Sequence, residues 1–308
     1  MPSIGIVGEG FVGTSVARKM REVAVLYTYD VAKGWSLWTR GSMSVDSIDG
    51  ADPHWAEKMV RRSDDIVFVC LPTPMKPDGS VDISIVSEAL EQLNHEAGRA
   101  GKPIKVLVKS TMPPGTTRYS NEFRKNIKVV FNPEFLREAT AAEDYANQKS
   151  VILGGEFDPQ IHGLFRSAFP AAEIHWTDST TAEMVKYLGN CFLAVKVSFA
   201  NEMAQVCKAV GVDWGQLVHL AVRNDPRLGE SHWEVPGPMP ADDGSGRKLR
   251  GFGGSCFPKD LNGMIEYAIH YGVDPKVMQA AWMKNLEVRP ERDWECLEGR
   301  AVCESSQK

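Results

Sequence analysis

A short apolar run, Ser3-Ile4-Gly5-Ile6-Val7, leads directly into Gly8-Glu9-Gly10-Phe11-Val12-Gly13 and then into a helical stretch from Thr14 to Arg21. Strand, glycine turn and helix in this order are the fingerprint of a dinucleotide-binding βαβ unit. The glycines permit the tight turn, the approach of backbone N–H groups to a pyrophosphate, and close helix–strand packing. Phe11 and Val12 lie within this turn and join the glycines as expected cofactor-binding residues, and the partial positive charge at the N-terminus of the following helix favours the anion. A second strand, Val25-Leu26-Tyr27-Thr28-Tyr29, ends at Asp30. A carboxylate there holds a ribose 2′-hydroxyl and repels a 2′-phosphate, so the expected cofactor is NAD rather than NADP.

The run Ile66-Val67-Phe68-Val69-Cys70-Leu71 stops at Pro72-Thr73-Pro74, as a central parallel strand stops at its ligand-binding end. A helix is expected from Ile83 to Leu93. Further strands are expected at Ile104–Val108, Val129–Phe131, Ser150–Gly155 and near Ala172–Trp176. The alternation predicts an α/β fold, a Rossmann-type doubly wound parallel sheet over residues 1–178. Residues 33–62, carrying Trp35, Trp38 and Trp55, read as loop and short helix. After Thr177 the period changes to a helical one through Met184, Leu188, Phe192, Val195, Phe199 and Met203, with Ser179 or Thr180 as the expected N-cap and Glu183 in the first turn. Helices at Trp214–Val222, Lys259–Tyr271 and Pro275–Val288 follow. Residues 179–290 are therefore expected to form an all-helical domain around one long helix. Residues 234–246 read as a surface loop, and 291–308 as a tail frayed beyond Gly299.

With 308 residues, 43% apolar and 24% charged, the chain can bury two cores. A net charge of −5 leaves no electrostatic footprint for nucleic acid, and no apolar run approaches a membrane span. The N-terminus carries no secretory signature. Six cysteines without a C-x-x-C pair or zinc-ligand spacing indicate reduced thiols, no metal and a cytoplasmic protein.

The stretch Gly251-Phe252-Gly253-Gly254-Ser255-Cys256-Phe257-Pro258-Lys259-Asp260-Leu261 places one cysteine at the start of a helical run, beside a cation. Such a position favours the thiolate and suits a nucleophile. On the residues alone, a glycine loop with an incidental buried cysteine fits as well. Lys186 and Asn190 stand four apart on one face of the long helix, a spacing that equally describes a solvated pair.

Five motifs taken in order resemble the UDP-glucose/GDP-mannose dehydrogenase family. They are the glycine fingerprint with Asp30; the turns Leu71–Pro74 and Lys109-Ser110-Thr111-Met112-Pro113; the run Asn132-Pro133-Glu134-Phe135-Leu136-Arg137-Glu138; the helix Ala182-Glu183-x-x-Lys186-x-x-x-Asn190; and Gly251–Asp260. Their order and spacing match to about Arg289. The resemblance implies two successive hydride transfers to NAD from the primary alcohol of a nucleotide sugar, UDP-glucose foremost, through an aldehyde to an acid. Cys256 would add to the aldehyde, and Lys186 and Asn190 would stabilise oxyanionic charge. Asp260 and Glu138, with a water on Thr111, would manage protons and hydrolyse the thioester.

By the same resemblance, Pro72, Thr73, Thr111, Glu138 and Lys259 join the glycine turn in holding the cofactor. Glu134, Phe135 and Leu136 join Lys186, Asn190, Phe252, Gly253 and Cys256 around the substrate. A homodimer through the central helix is implied, with Arg227 of Asp225-Pro226-Arg227-Leu228-Gly229 reaching a neighbouring subunit's site. Members of the family continue into a third domain that grips the nucleotide, whereas this sequence ends soon after the last central helix. Arg227, Arg247, Lys248 and Arg250 are the cations expected to meet the phosphates of the substrate, with the segment 234–250 ordering around it. Two rival readings exist. A single-step β-hydroxyacid or 6-phosphogluconate-type dehydrogenase would not need Gly253-Gly254-Ser255-Cys256. A catalytically idle NAD-binding protein would not need Lys186, Asn190, Cys256 and Asp260 together.

Overall fold

The computed structural model describes residues 1–47, 51–238 and 247–304. Two compact units divide the chain: Met1–Thr73 with Ile83–Lys186, and Pro74–Asp82 with Tyr187–Lys308.

The first unit is a nine-stranded sheet flanked by helices. In chain order it holds β1 (Ser3–Val7), α1 (Phe11–Met20), β2 (Val25–Asp30), β3 (Gly34–Thr39), β4 (Ser42–Ser47), α2 (Trp55–Arg62), β5 (Ile66–Val69), α3 (Ser84–Arg99), β6 (Ile104–Val108), α4 (Thr116–Phe123), β7 (Ile127–Phe131), α5 (Ala141–Ala146), β8 (Ser150–Gly154), α6 (Pro159–Ala168) and β9 (Glu173–Thr177). The strand order is β4-β3-β2-β1-β5-β6-β7-β8-β9. Strands β2, β1, β5, β6 and β7 run parallel, whereas β2–β3, β3–β4 and β7–β8 pair antiparallel. The parallel strands are apolar on both faces because helices cover both. Along β5, Ile66 and Phe68 enter one core with Val16, Ala17 and Phe165, while Val67 and Val69 enter the other with Met59, Leu90 and Leu93.

The edge differs from the sequence expectation. Residues 34–47 form β3 and β4, not loop, joined at a tight turn where Gly41 takes φ +96°. Trp35 and Trp38 point to opposite faces of β3, each into one of the two cores. Tyr29 stacks on Trp55 at 5.6 Å, which ties α2 to this edge.

Helix α7 (Ser179–Val210) begins in the first unit and continues into the second. Its cap is Asp178, not Ser179 or Thr180: the Asp178 carboxylate accepts from the Thr181 N–H at 2.9 Å and from its hydroxyl at 2.6 Å. The second unit adds α8 (Trp214–Asn224), a 3₁₀ turn at Pro226–Leu228, α9 (Phe257–His270), α10 (Lys276–Val288) and a 3₁₀ turn at Asp293–Cys296. Its core joins Tyr187, Cys191 and Ala194 to Phe252, Leu261, Met264 and Ile265. Two short strands, β10 (Gly237–Pro238) and β11 (Lys248–Leu249), pair antiparallel, so the expected loop is closed at its base; residues 239–246 of that loop lie outside the described residues. Over its described residues, up to 304, the tail is not frayed beyond Gly299. Ala301 is fully buried, its carbonyl accepts from the Met75 N–H at 2.9 Å, and the Cys303 N–H donates to the Met75 carbonyl at 2.9 Å.

Candidate active site

The three fingerprint glycines have separate reasons. Gly8 sits at φ +92°, and a Cβ there would strike the Cys70 carbonyl; a Cβ on Gly13 would strike the Gly8 carbonyl. A Cβ on Gly10 would meet nothing within 4 Å, so this position opens onto space. Gly10 is the N-cap of α1 and makes no side-chain cap bond. The cap residue thus leaves the first N–H groups of the helix without a side-chain acceptor, as a site for a pyrophosphate requires. Asp30 ends β2 with its carboxylate accepting from the Glu9 N–H at 2.8 Å and the Ala32 N–H at 2.9 Å, which fixes its orientation beside the glycine turn. These features fit NAD. One residue the sequence reading passed over is Glu9, buried within the fingerprint. Its carboxylate accepts from the Thr28 hydroxyl and, at 3.2 Å, from the Trp38 indole N–H.

Asp30→Asn keeps an oxygen acceptor and removes the charge, so it isolates the electrostatic part of cofactor choice. The unsubstituted protein is expected to bind NAD at least about tenfold more tightly than NADP, a gap of ~1.4 kcal/mol, and the variant to close most of it. Titration of both proteins with both cofactors is the measurement. Equal affinities in the unsubstituted protein would refute the role of Asp30.

Further along the same edge of the sheet, Thr73 is buried while Pro72 is exposed. Ser110 receives the Leu71 N–H at 2.9 Å, joining the β5 and β6 exit turns. Thr111 is buried beside it. The turn from Thr111 into α4 is held by Glu183, fully buried on α7, which accepts from the Gly115 N–H at 2.5 Å and the Thr117 N–H at 2.8 Å. Burial pushes the Glu183 carboxyl up from its ordinary value, against the pull of those hydrogen bonds. Lys109 is buried over the Tyr145 ring and donates to Asn132 Oδ1 at 2.8 Å. Burial brings its pKa down to about 8.

Asn132 begins the run that reaches Glu134. Glu134 and Lys186 form a buried ion pair at 2.6 Å, and the same ammonium donates to the Glu134 carbonyl at 2.7 Å. Glu134 Oε2 also accepts from the Leu136 N–H at 2.8 Å. The candidate acid and candidate oxyanion holder thus lock each other in place. Phe135 is exposed, and Glu138 opens a 3₁₀ turn at Glu138–Thr140.

In the second unit, Asn190 on α7 donates to Asp260 Oδ2 at 2.5 Å, and the Lys259 ammonium binds Asp260 Oδ1. Asp260 lies in the first turn of α9, whose N-cap is Cys256, and its N–H bonds the Cys256 carbonyl at 2.9 Å. Asn190, Lys259 and Asp260 therefore meet one turn from the cysteine. Cys70 and Cys191 are buried, and burial drives both thiols up to about 12, with Asp260 adding to the rise at Cys191. Cys256 is part-exposed at a helix N-terminus, with the Ser255 hydroxyl 3.7 Å from its sulfur. Phe252 is buried against Trp282 and Phe257, at 6.2 and 6.1 Å between ring centroids. Arg227 is engaged by Asp225, through Nε at 2.8 Å and Nη2 at 2.7 Å, on an exposed turn. Lys248 pairs with Glu234, and the Arg250 carbonyl faces Arg289.

Residues 55–168 match the NAD binding domain of the UDP-glucose/GDP-mannose dehydrogenase family, and residues 180–287 match that family's central domain. The chain is 30% identical to the UDP-glucose 6-dehydrogenase AglM of Haloferax volcanii over 96% of its own length and 72% of that protein. It is 34% identical to the UDP-glucose 6-dehydrogenase YwqF of Bacillus subtilis, over 66% of this chain and 44% of that one. Among solved structures, a UDP-glucose dehydrogenase from Pyrobaculum islandicum superposes with a TM-score of 0.74 at 30% identity, covering 97% of this chain and 71% of that one. The chain belongs to the UDP-glucose/GDP-mannose dehydrogenase family, NAD-dependent oxidoreductases that act on a CH–OH group.

Proposed function

We propose that the protein oxidises the C6 primary alcohol of a nucleotide sugar, UDP-glucose foremost, to the carboxylate in two hydride transfers. The observation that carries this reading is the Asn190–Asp260–Lys259 cluster one turn from Cys256 at the start of α9. A single-step alcohol dehydrogenase has no use for a thiol so placed.

NAD, held by the glycine turn Gly8–Gly13 and Asp30, would supply the hydride acceptor, one molecule for each of the two transfers in turn. Lys186, fixed by Glu134, and Asn190, fixed by Asp260, are donors set in advance to stabilise the oxyanion of the reacting alcohol and its later tetrahedral states. The Cys256 thiolate attacks the aldehyde carbon to give a thiohemiacetal. Loss of the second hydride from that carbon leaves a thioester, and water cleaves it to the acid with return of the thiol. Asp260 and Glu138, with a water on Thr111, take the protons released. The six cysteines form no disulfide, which supports a reducing, cytoplasmic setting. No helix among the described residues is long and apolar enough to cross a membrane.

Homodimerisation through the central helix belongs to the same reading. Met184, Leu188, Phe192, Phe199, Val206 and Val210 are exposed at spacings that form one stripe along α7. We take the domain limits as 1–178 for cofactor binding, 179–290 for the helical domain and 291–308 for the tail.

The test is the NADH formed per substrate consumed across a panel of nucleotide sugars. Two per substrate, with UDP-glucose turned over fastest, is the expected result. One per substrate would replace the reading with a single-step oxidation, and none would leave an idle NAD-binding protein.

A further inference from the structure

Residues 250–256 contain three glycines and no regular secondary structure apart from the helix cap, so nothing in the segment itself fixes where the sulfur stands. Its backbone is instead bound by three side chains. Asn285 on α10 accepts from the Phe252 N–H at 2.7 Å and donates to the Phe252 carbonyl at 3.0 Å. Arg289, at the end of α10, donates to the Arg250 carbonyl at 3.1 Å and the Gly251 carbonyl at 3.4 Å. Asp293 accepts from Arg289 Nε at 2.6 Å and from the Gly254 N–H at 3.0 Å. Asn285 is fully buried and Arg289 is 1% exposed.

The glycines answer to these same groups. A Cβ on Gly251 would strike Asn285 Oδ1, and a Cβ on Gly253 would strike the Asp293 carboxylate. Gly254 takes φ +71°. Glycine pattern and side-chain clamp are two halves of one arrangement. Burying a guanidinium against a part-exposed carboxylate is a poor way to gain stability, since apolar residues of similar volume would fill the space at less desolvation cost. What such groups secure is a geometry. Arg289 and Asp293 also lie beyond the residues, 180–287, that match the family's central domain.

We propose that Asn285, Arg289 and Asp293 are positioning residues for Cys256: they hold the backbone from Arg250 to Gly254 in the path that brings the thiol to the aldehyde carbon. The proposal rests on Cys256 being the nucleophile. The first hydride transfer needs no thiol. A loosened clamp therefore spares that step, slows capture of the aldehyde and lets it escape.

Asn285→Ala removes both bonds to Phe252, and Asp293→Asn keeps side-chain volume while removing the charge between Arg289 and Gly254. In single-turnover experiments, both variants are expected to keep NAD affinity and the first hydride transfer within about threefold. The second should slow by about thirtyfold or more, the scale of an ångström-sized misplacement, with free aldehyde trapped by semicarbazide nearly equal to the first equivalent of NADH. Equal slowing of both steps, or no change in either, overturns the proposal. If neither variant folds well enough to bind NAD, the three residues serve the fold alone and the proposal also falls. Cys256→Ser measured alongside separates the two ideas. If it passes both hydrides at the normal rate, the nucleophile assignment fails; if it stalls and the clamp variants do not, only the positioning role fails.

Discussion

Cys256→Ser is expected to pass the first hydride from alcohol to NAD and then stall, lowering acid formation by about a thousandfold, or ~4 kcal/mol on the barrier. A serine hydroxyl is far less nucleophilic than a thiolate, and an ester at that position would hydrolyse more slowly than a thioester. Mass spectrometry of the variant incubated with substrate and NAD reads the stall as an ester adduct on the substituted residue. The buried cysteines supply the control. Cys70 and Cys191 have thiols driven up to about 12 by burial, and Cys207 is buried on α7. Serine at each is expected to cost stability, ~1 kcal/mol for an added buried hydroxyl, without changing the ratio of the two hydride transfers. Undiminished acid production by Cys256→Ser would remove the covalent step from the mechanism.

How much of this was legible in the sequence follows from what kind of contact does each job. Strands β1, β5 and β6 were legible because each is buried on both faces and so reads as an apolar run bounded by turn residues. Strands β3 and β4 were not. Gly34-Trp-Ser-Leu-Trp-Thr39 alternates no single apolar face, and its partner is largely Ser, Asp and Met. Their pairing comes from the Gly41 turn and from β2 offering an open edge, neither of which has a period in the sequence. The candidate site divides the same way. Cys256, Lys186, Asn190 and Asp260 stand in motifs of fixed local spacing. The contacts that hold them join residues far apart in the chain: Glu134 with Lys186, Glu183 with the turn before α4, and Asn285, Arg289 and Asp293 with the cysteine loop. No spacing rule reports such pairs. A buried charge in the sequence, such as Glu9 or Glu183, is the only local sign of them, since an ionisable residue inside an apolar stretch must find a partner.

Arg227→Ala is expected to raise the KM for the nucleotide sugar by about a hundredfold while leaving that for NAD within about threefold, because a bidentate guanidinium–phosphate contact is worth ~2 to 3 kcal/mol. In the structure, the Arg227 side chain is 88% exposed and is held by Asp225 of its own turn. An arginine already straightened by a neighbouring carboxylate, on a surface turn, can exchange that partner for a phosphate at little cost in side-chain order. On the proposed two-fold assembly the phosphate would belong to a substrate bound by the other subunit. Mixing Arg227→Ala with Lys186→Ala protein then has a definite outcome. Each variant alone is nearly dead at low substrate. A hybrid dimer contains one site that has lost both residues and one site that keeps both, so with random exchange about a quarter of the sites regain full activity, following from binomial pairing of subunits in a C2 dimer. Recovery of activity on mixing, at the rate of subunit exchange followed by mass spectrometry of isotope-labelled chains, is the expected result. If exchange is complete and the mixture stays inactive, Arg227 acts within its own chain or does not touch substrate, and the shared site must be abandoned even if the dimer stands.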